Sequence, residues 1–177
     1  DFPMDTAKKL LEIVPNNEEW EKNGFPDEIF RKMGQMGFFG VRYPEEYGGS
    51  NLDYFAAMTV TEEIAASGCA GLGMAFNVQA LMATNPILKF GTDEQKRNYL
   101  VPSIAGEKIA ALGITEPSAG SDVAGLRTVA KKTDGGWIIN GSKVFITNGI
   151  RADYQILIAK TGENNGRPLF SIFLVDS

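Results

Sequence analysis

The stretch Leu112-Gly113-Ile114-Thr115-Glu116-Pro117-Ser118-Ala119-Gly120-Ser121-Asp122, followed further on by Val144-Phe145-Ile146-Thr147-Asn148-Gly149, decides how this chain is read. It lies just past the point where helical periodicity gives way to short β-type runs. Ile114 to Asp122 combines a prolyl turn, small residues and several oxygen-bearing side chains. Small residues let backbone N–H groups come close to an anion, and Ser118 and Ser121 can donate to phosphate oxygens. The second stretch reads as part of a strand, Lys143 to Thr147, that carries an aromatic face and a threonine. Together the two suit a flat, phosphate-tailed ligand. The same spacing also describes an ordinary Asp/Ser/Gly turn that caps whatever follows it.

Upstream of that stretch the pattern is helical. Leu10, Leu11 and Val14 predict a short helix over 6–14, stopped by Pro15. Ile29, Phe30, Met33 and Met36 recur at three- and four-residue intervals and predict an amphipathic helix from Asp27 to Met36. A third helix is expected from Asn51 to Ser67, with Leu52, Phe55, Ala56, Val60 and Ile64 on its core face. Its adjacent Glu62 and Glu63 point about 100° apart and do not converge on one target. The apolar run Cys69 to Phe90 suits a helix buried among others, and Thr92-Asp93-Glu94-Gln95 is a capping box that opens a last helix to Ile104.

Downstream the runs are of strand type: Val129 to Thr133, Trp137 to Ile139, Gln155 to Lys160 and Leu169 to Val175. Asn140-Gly141 is a two-residue hairpin signal, because both central positions of such a turn need positive φ. Gly162 to Gly166 is a further turn. A strand ending near Val175 leaves a sheet edge open to association.

Composition narrows the chemistry. With 44% hydrophobic and 22% charged residues in a chain of 177, the protein can bury a real core. A net charge of −5 gives no electrostatic basis for binding nucleic acid. There is no histidine, which removes imidazole bases, imidazole-assisted nucleophiles and imidazole metal sites, so no metal is expected. Cys69 is the sole cysteine and is expected to be a small buried apolar residue. No apolar run approaches the roughly 20 residues of a membrane span, so the chain reads as soluble.

These phrases closely resemble the flavin-binding signature of the acyl-CoA dehydrogenases, and the likeness runs through essentially all 177 residues. Pro44-Glu45-Glu46-Tyr47-Gly48-Gly49, Phe90-Gly91-Thr92-Asp93-Glu94-Gln95-Lys96 and Asn140-Gly141-Ser142-Lys143 all match phrases of that family. The wording of 140–149 and 171–176 leans toward its long-chain members. The resemblance implies an α+β chain: an N-terminal all-α helical domain over 1–109, then an antiparallel β-barrel-like middle domain over 110–177. The latter is expected to be incomplete, with the chain truncated before the family's C-terminal four-helix bundle.

The resemblance also implies FAD. On it, Leu112 to Ser121 line the ring edge and the pyrophosphate: the backbone at Ile114 and the side chain of Thr115 face the pyrimidine edge, and Gly120 and Ser121 lie by the ribityl-pyrophosphate. Ser121 also lies near the substrate thioester. Phe145 packs on one face of the ring, Ile146 belongs to the same covering run, and the Thr147 hydroxyl lies close to N5, the atom that accepts hydride. Many relatives carry tryptophan where this chain has Phe145.

The activity implied is α,β-dehydrogenation of acyl-CoA thioesters in fatty acid β-oxidation, with electrons passed to an electron-transfer flavoprotein. The implied setting is a homo-oligomer, dimer or tetramer, in a bacterial cytoplasm or the mitochondrial matrix. In the family the base is a glutamate of the C-terminal domain, so no catalytic residue is expected here: none of Glu62, Glu63, Glu107 or Glu116 falls at its place. An acyl-CoA oxidase or flavin monooxygenase is an alternative on the same scaffold. So is a non-catalytic scaffold module, against which Thr115, Ser121 and Thr147 argue.

Overall fold

The computed structural model describes residues 17–177. The helix expected over 6–14 lies outside them. The chain divides into two compact units, one ending at Ile109 and the other running from Ala110 to Ser177.

In the first unit, α1 is Asn17–Asn23 and α2 is Glu28–Gln35, whose expected stripe of Ile29, Phe30 and Met33 is buried. α3, Tyr54–Ala66, starts later than the sequence suggests. Asp53 is its N-cap, and the carboxylate accepts the Ala56 N–H at 3.0 Å, which satisfies one of the helix's orphan donors. That start sets the register: Ala57, Val60 and Ile64 turn inward, Leu52 precedes the helix, and Phe55 is 77% exposed. The expectation that Leu52 and Phe55 share the core face is thus corrected.

The expected run 69–90 is α4, Ala70–Asn77, and α5, Asn85–Phe90, joined by a π-helical turn at Val78–Ala83. The next run repeats the device, with α6, Asp93–Gln95, a π turn at Lys96–Leu100, and α7, Val101–Ile104. Each widened turn precedes a proline, Pro86 or Pro102. A proline ring strikes the carbonyl four residues back, here Met82 or Asn98, and widening the helix makes room for it. Widening also frees carbonyls for other donors: the Tyr43 hydroxyl donates to the Ala80 carbonyl at 2.9 Å. The capping box at Thr92 forms, with Gln95 N–H on the Thr92 hydroxyl at 3.2 Å and Thr92 N–H on Gln95 Oε1 at 2.9 Å.

Aromatic stacking runs through this unit's core. Phe30 lies 5.9 Å from Phe39, which lies 5.7 Å from Phe76, and Cys69 is buried in the same cluster as the small apolar residue expected. Each such buried ring contributes about 1.5–3 kcal/mol by leaving water. Gln79, also buried, donates from Nε2 to the carbonyls of Ser103 at 3.0 Å and Lys108 at 2.8 Å, closing the helical unit on its own last turn.

The second unit is a five-stranded sheet: β1 Ala110–Gly113, β2 Val129–Thr133, β3 Gly136–Asn140, β4 Tyr154–Asn164 and β5 Arg167–Asp176. β4 is its axis. β5 runs antiparallel along one side of β4, from Tyr154 opposite Asp176 to Asn164 opposite Arg167. Along the other side β1 pairs in parallel at 154–157, and β2 pairs in parallel at Lys160. β2 and β3 form an antiparallel hairpin, and Trp137 of β3 meets Phe173 of β5 edge-on at 5.4 Å, so the sheet curls. The expected α+β class stands, but the sheet is mixed and open rather than wholly antiparallel.

Two further expectations are corrected. Asn140-Gly141 makes no hairpin, and 143–147 is not a strand. Phe145 and Asn148 have φ of 56° and 65°, values that no strand accommodates. The segment after β3 is an irregular return, held by side chains and one backbone hydrogen bond rather than by a ladder.

Candidate functional site

The 114–122 segment leaves β1 and turns at once. Pro117 and Ser118 sit at the tip of a tight turn closed in both directions, Glu116 N–H to Ala119 carbonyl at 2.8 Å and Ala119 N–H to Glu116 carbonyl at 3.1 Å. Proline's fixed φ suits the first central position of such a turn. Beyond it Gly120 and Ser121 are exposed, and the chain passes through a 3₁₀ turn at Val123–Gly125 before entering β2.

The return segment lies beside this turn. Val144 N–H donates to the Thr115 carbonyl at 2.9 Å, and Lys143 Nζ donates to the Ile114 carbonyl at 2.9 Å and to Glu116 Oε1 at 2.8 Å. Further along, Asn148 Nδ2 donates to the Ala110 carbonyl at 3.2 Å. Residues 145–147 are therefore bracketed, tied to 114–116 before Phe145 and to β1 after Thr147. Phe145 itself is 93% exposed in left-handed backbone, while Ile146 and Thr147 are half-buried.

Glu116 is the node of this arrangement. Besides Lys143 it accepts the N–H groups of Arg127 at 2.6 Å and Thr128 at 2.9 Å. Burial alone would raise its pKa, because a charged carboxylate is disfavoured away from water. The Lys143 ammonium and the two backbone donors outweigh that and hold the carboxyl down at about 2, against an ordinary 4.5. A carboxylate so satisfied is a poor proton acceptor at neutral pH. The Thr128 hydroxyl, buried beside it, also favours the charged carboxylate, although it makes no hydrogen bond of good geometry among the described residues.

The structure brings Ile114 and Thr115 up against the start of the return segment. Leu112 is half-buried in β1, and Gly120 and Ser121 lie past the prolyl tip. Among the described residues, the hydroxyls of Thr115, Ser121 and Thr147 make no side-chain hydrogen bond, so they remain available. A separate groove of about 630 Å³, lined by Val129, Lys131, Lys132, Trp137, Lys160 and Thr161, contains none of these residues. Sequence reasoning missed Lys143 and Asn148 as organisers of the site. Their partners are carbonyls and a carboxylate 27 to 38 residues away, which no local pattern announces. No group of His, Cys, Asp and Glu among the described residues is arranged to hold a metal ion, and no described helix is long and apolar enough to cross a membrane.

A helical unit followed by a curled mixed sheet, whose first strand opens into a small-residue turn, is a two-unit α+β scaffold with its open polar groups on the β portion. The patterns "Acyl-CoA dehydrogenase, N-terminal domain" and "Acyl-CoA dehydrogenase, middle domain" match residues 5–107 and 111–177. The chain belongs to the acyl-CoA dehydrogenase family. It is 45% identical over 168 residues to a 3-(aryl)acrylate reductase of Clostridium sporogenes, covering 94% of this chain and 44% of the relative. Against the long-chain specific mitochondrial acyl-CoA dehydrogenase of Sus scrofa it is 40% identical over 182 residues, covering 100% and 42%. A crystal structure of a glutaryl-CoA dehydrogenase from Mycobacterium smegmatis in complex with FADH2 superposes with a TM-score of 0.90 at 30% identity, covering 98% and 44%. The chain spans less than half the length of these relatives.

Proposed function

We propose that this chain is the helical and middle-domain portion of a flavin-dependent acyl-CoA dehydrogenase. Leu112, Ile114, Thr115, Gly120, Ser121, Phe145, Ile146 and Thr147 hold FAD, and the acyl thioester lies by Ser121. One observation carries this reading. The 114–116 turn and the return segment are tied together at Val144, leaving a nearly fully exposed aromatic ring on the same segment as one open hydroxyl, with two more on the turn. An aromatic side chain held out in costly backbone marks a surface built to be covered.

The residues suit the cofactor. Phe145 offers a flat apolar face, Thr115 and Thr147 offer hydroxyl donors, and a Cβ built on Gly120 meets nothing within 4 Å, which leaves open approach to the backbone for a pyrophosphate. When bound, FAD would supply the two-electron acceptor for the hydride lost from the substrate β-carbon, the α-proton going to a base. The residues described here orient these partners and exclude water from one ring face. Glu116 is committed to Lys143, so on this reading the base comes from another part of the full-length protein, as the family resemblance implies.

The test uses the full-length protein that carries these residues. It is expected to purify yellow, to bleach anaerobically with an acyl-CoA, and to reoxidise with an electron-transfer flavoprotein faster than with oxygen. Ser121→Ala and Thr147→Val are expected to slow the bleaching. A colourless, folded protein would remove the proposal, and fast reoxidation by oxygen would turn it toward an oxidase. The 45%-identical reductase supports a second reading, in which the same site runs toward saturation of an α,β-double bond. Comparing initial rates from saturated and unsaturated substrates separates the two.

A further inference from the structure

We infer that Glu116 and Lys143 are positioning residues for the ring site, fixing the spacing between the Thr115 turn and the Phe145–Thr147 segment; this rests on the flavin reading above. Among the described residues, a single backbone hydrogen bond, Val144 N–H to Thr115 carbonyl, joins 114–116 to 143–147. One such bond acts as a hinge and leaves rotation about itself open. Lys143 removes that freedom by reaching past it, with its ammonium on the Ile114 carbonyl at 2.9 Å and on Glu116 at 2.8 Å, one residue to either side of Thr115. Glu116 in turn is immobilised by the N–H groups of Arg127 and Thr128, which belong to the run into β2.

Three segments thus meet at one carboxylate, and the two expected to touch the ring are the two that Lys143 spans. The left-handed Phe145 adds a reason for the clamp. A non-glycine residue in that conformation persists only where its surroundings over-determine it, and the clamp lies two residues upstream. Charge matters as well as geometry. The buried pair is neutral as a whole, so losing the carboxylate leaves an unbalanced ammonium against the backbone of Ile114, at the expected pyrimidine edge.

The experiment uses the full-length protein with Lys143→Met, Lys143→Arg and Glu116→Gln, reading flavin affinity, visible circular dichroism of the bound flavin and its midpoint potential. Lys143→Met is expected to weaken flavin binding at least tenfold and to change the visible dichroism, and Lys143→Arg to restore most of both. Glu116→Gln keeps one acceptor oxygen, so one of the two backbone donors loses its partner, and it is expected to raise the potential, because the ammonium then has no counter-charge. Unchanged dichroism and potential in folded Lys143→Met and Glu116→Gln overturn the inference. So does failure of both variants to fold, which makes the pair a fold-forming element only. If the unsubstituted protein holds no flavin, the functional reading itself fails, a result distinct from either of these.

Discussion

Lys143 Nζ lies 2.8 Å from Glu116 Oε1 with the two side chains only 7% and 4% exposed, so this ion pair is withdrawn from water and responds to pH as a surface pair does not. The Glu116 carboxyl titrates at about 2 in the folded protein, against 4.5 ordinarily. A depressed carboxyl binds its proton less readily when folded, so its stabilisation is complete above about pH 4.5 and is lost as pH falls toward 2. The difference corresponds to roughly 3 kcal/mol. Thermal melting of the full-length protein between pH 5 and 2 is expected to show this loss, and Glu116→Gln to start less stable but to lack that component. Parallel melting curves for both proteins across the window would refute the assignment.

Phe145 offers a test in which fold and binding move in opposite directions. Its φ of 56° costs a non-glycine residue on the order of 1 kcal/mol, and its side chain makes little packing because it is exposed. Phe145→Gly is therefore expected to leave the fold equal or more stable while weakening flavin binding. Phe145→Trp keeps the aromatic face and enlarges it. An aromatic contact adds about 0.5–1.5 kcal/mol beyond burial, so flavin binding is expected to tighten by about two- to tenfold. Calorimetric melting beside flavin titration checks both. If Phe145→Gly binds flavin as well as the parent, Phe145 does not cover the ring.

Two of the chain's Asn-Gly pairs show what the sequence discloses and what it withholds. Asn165-Gly166 turns β4 into β5 with φ of 50° and 75°, the geometry that the pair favours. Asn140-Gly141 carries the same signal but makes no hairpin, because its glycine is used for close approach: a Cβ on Gly141 would lie 2.2 Å from the Thr128 hydroxyl. Local propensity is legible, whereas a tertiary contact that overrides it is not. For the same reason β2, β3, β4 and β5 were readable from alternation and turns. β1 was not, since Ala110 and Ala111 carry no strand signature and are strands only because β4 lies alongside. The small residues and hydroxyls of 112–121 marked a candidate site in the sequence, but Lys143, which ties Ile114 and Glu116 to the return segment, reads as any polar residue after a turn.

Tyr43 gives an independent check on the helical unit. Its hydroxyl donates to the Ala80 carbonyl and lies 2.7 Å from Thr84 Oγ1, inside and just past the π turn. Burial pushes the phenol up to about 12 from 10, against the weaker opposing effects of Thr84 and Arg42. A raised phenol contributes stability that is full below about pH 10 and is lost as pH rises toward 12. Ultraviolet titration of the folded protein is expected to show a component from Tyr43 that ionises only toward pH 12. Tyr43→Phe is expected to cost about 1–3 kcal/mol, because the carbonyl in the widened turn loses its donor, and to reduce the late-titrating signal by one tyrosine. A full tyrosine titration by pH 10.5 in folded protein would show the hydroxyl to be in water.

Gly135 lies in the turn between β2 and β3 and Gly141 just past the end of β3, and the two make a matched comparison. A methyl at Gly141 would meet the Thr128 side chain and its Cα at 2.7 Å, so the backbone on one side must move. Thr128 cannot yield freely, since its N–H is on Glu116 and its carbonyl accepts Lys160 N–H at 2.8 Å. Gly141→Ala is thus expected to destabilise the protein by about 1–3 kcal/mol through overpacking. It should also raise the Glu116 titration toward the ordinary carboxylate range, as one backbone donor is pulled away. At Gly135 a Cβ meets nothing within 4 Å, so Gly135→Ala is expected to stay within about 0.5 kcal/mol of the parent. Melting temperatures at pH 7 and pH 4 separate the outcomes: the Gly141 variant starts less stable but should lose less on acidification than the Gly135 variant, because a Glu116 carboxyl nearer its ordinary range carries less pH-linked stability. Equal behaviour would mean that Thr128 does not transmit the displacement to Glu116.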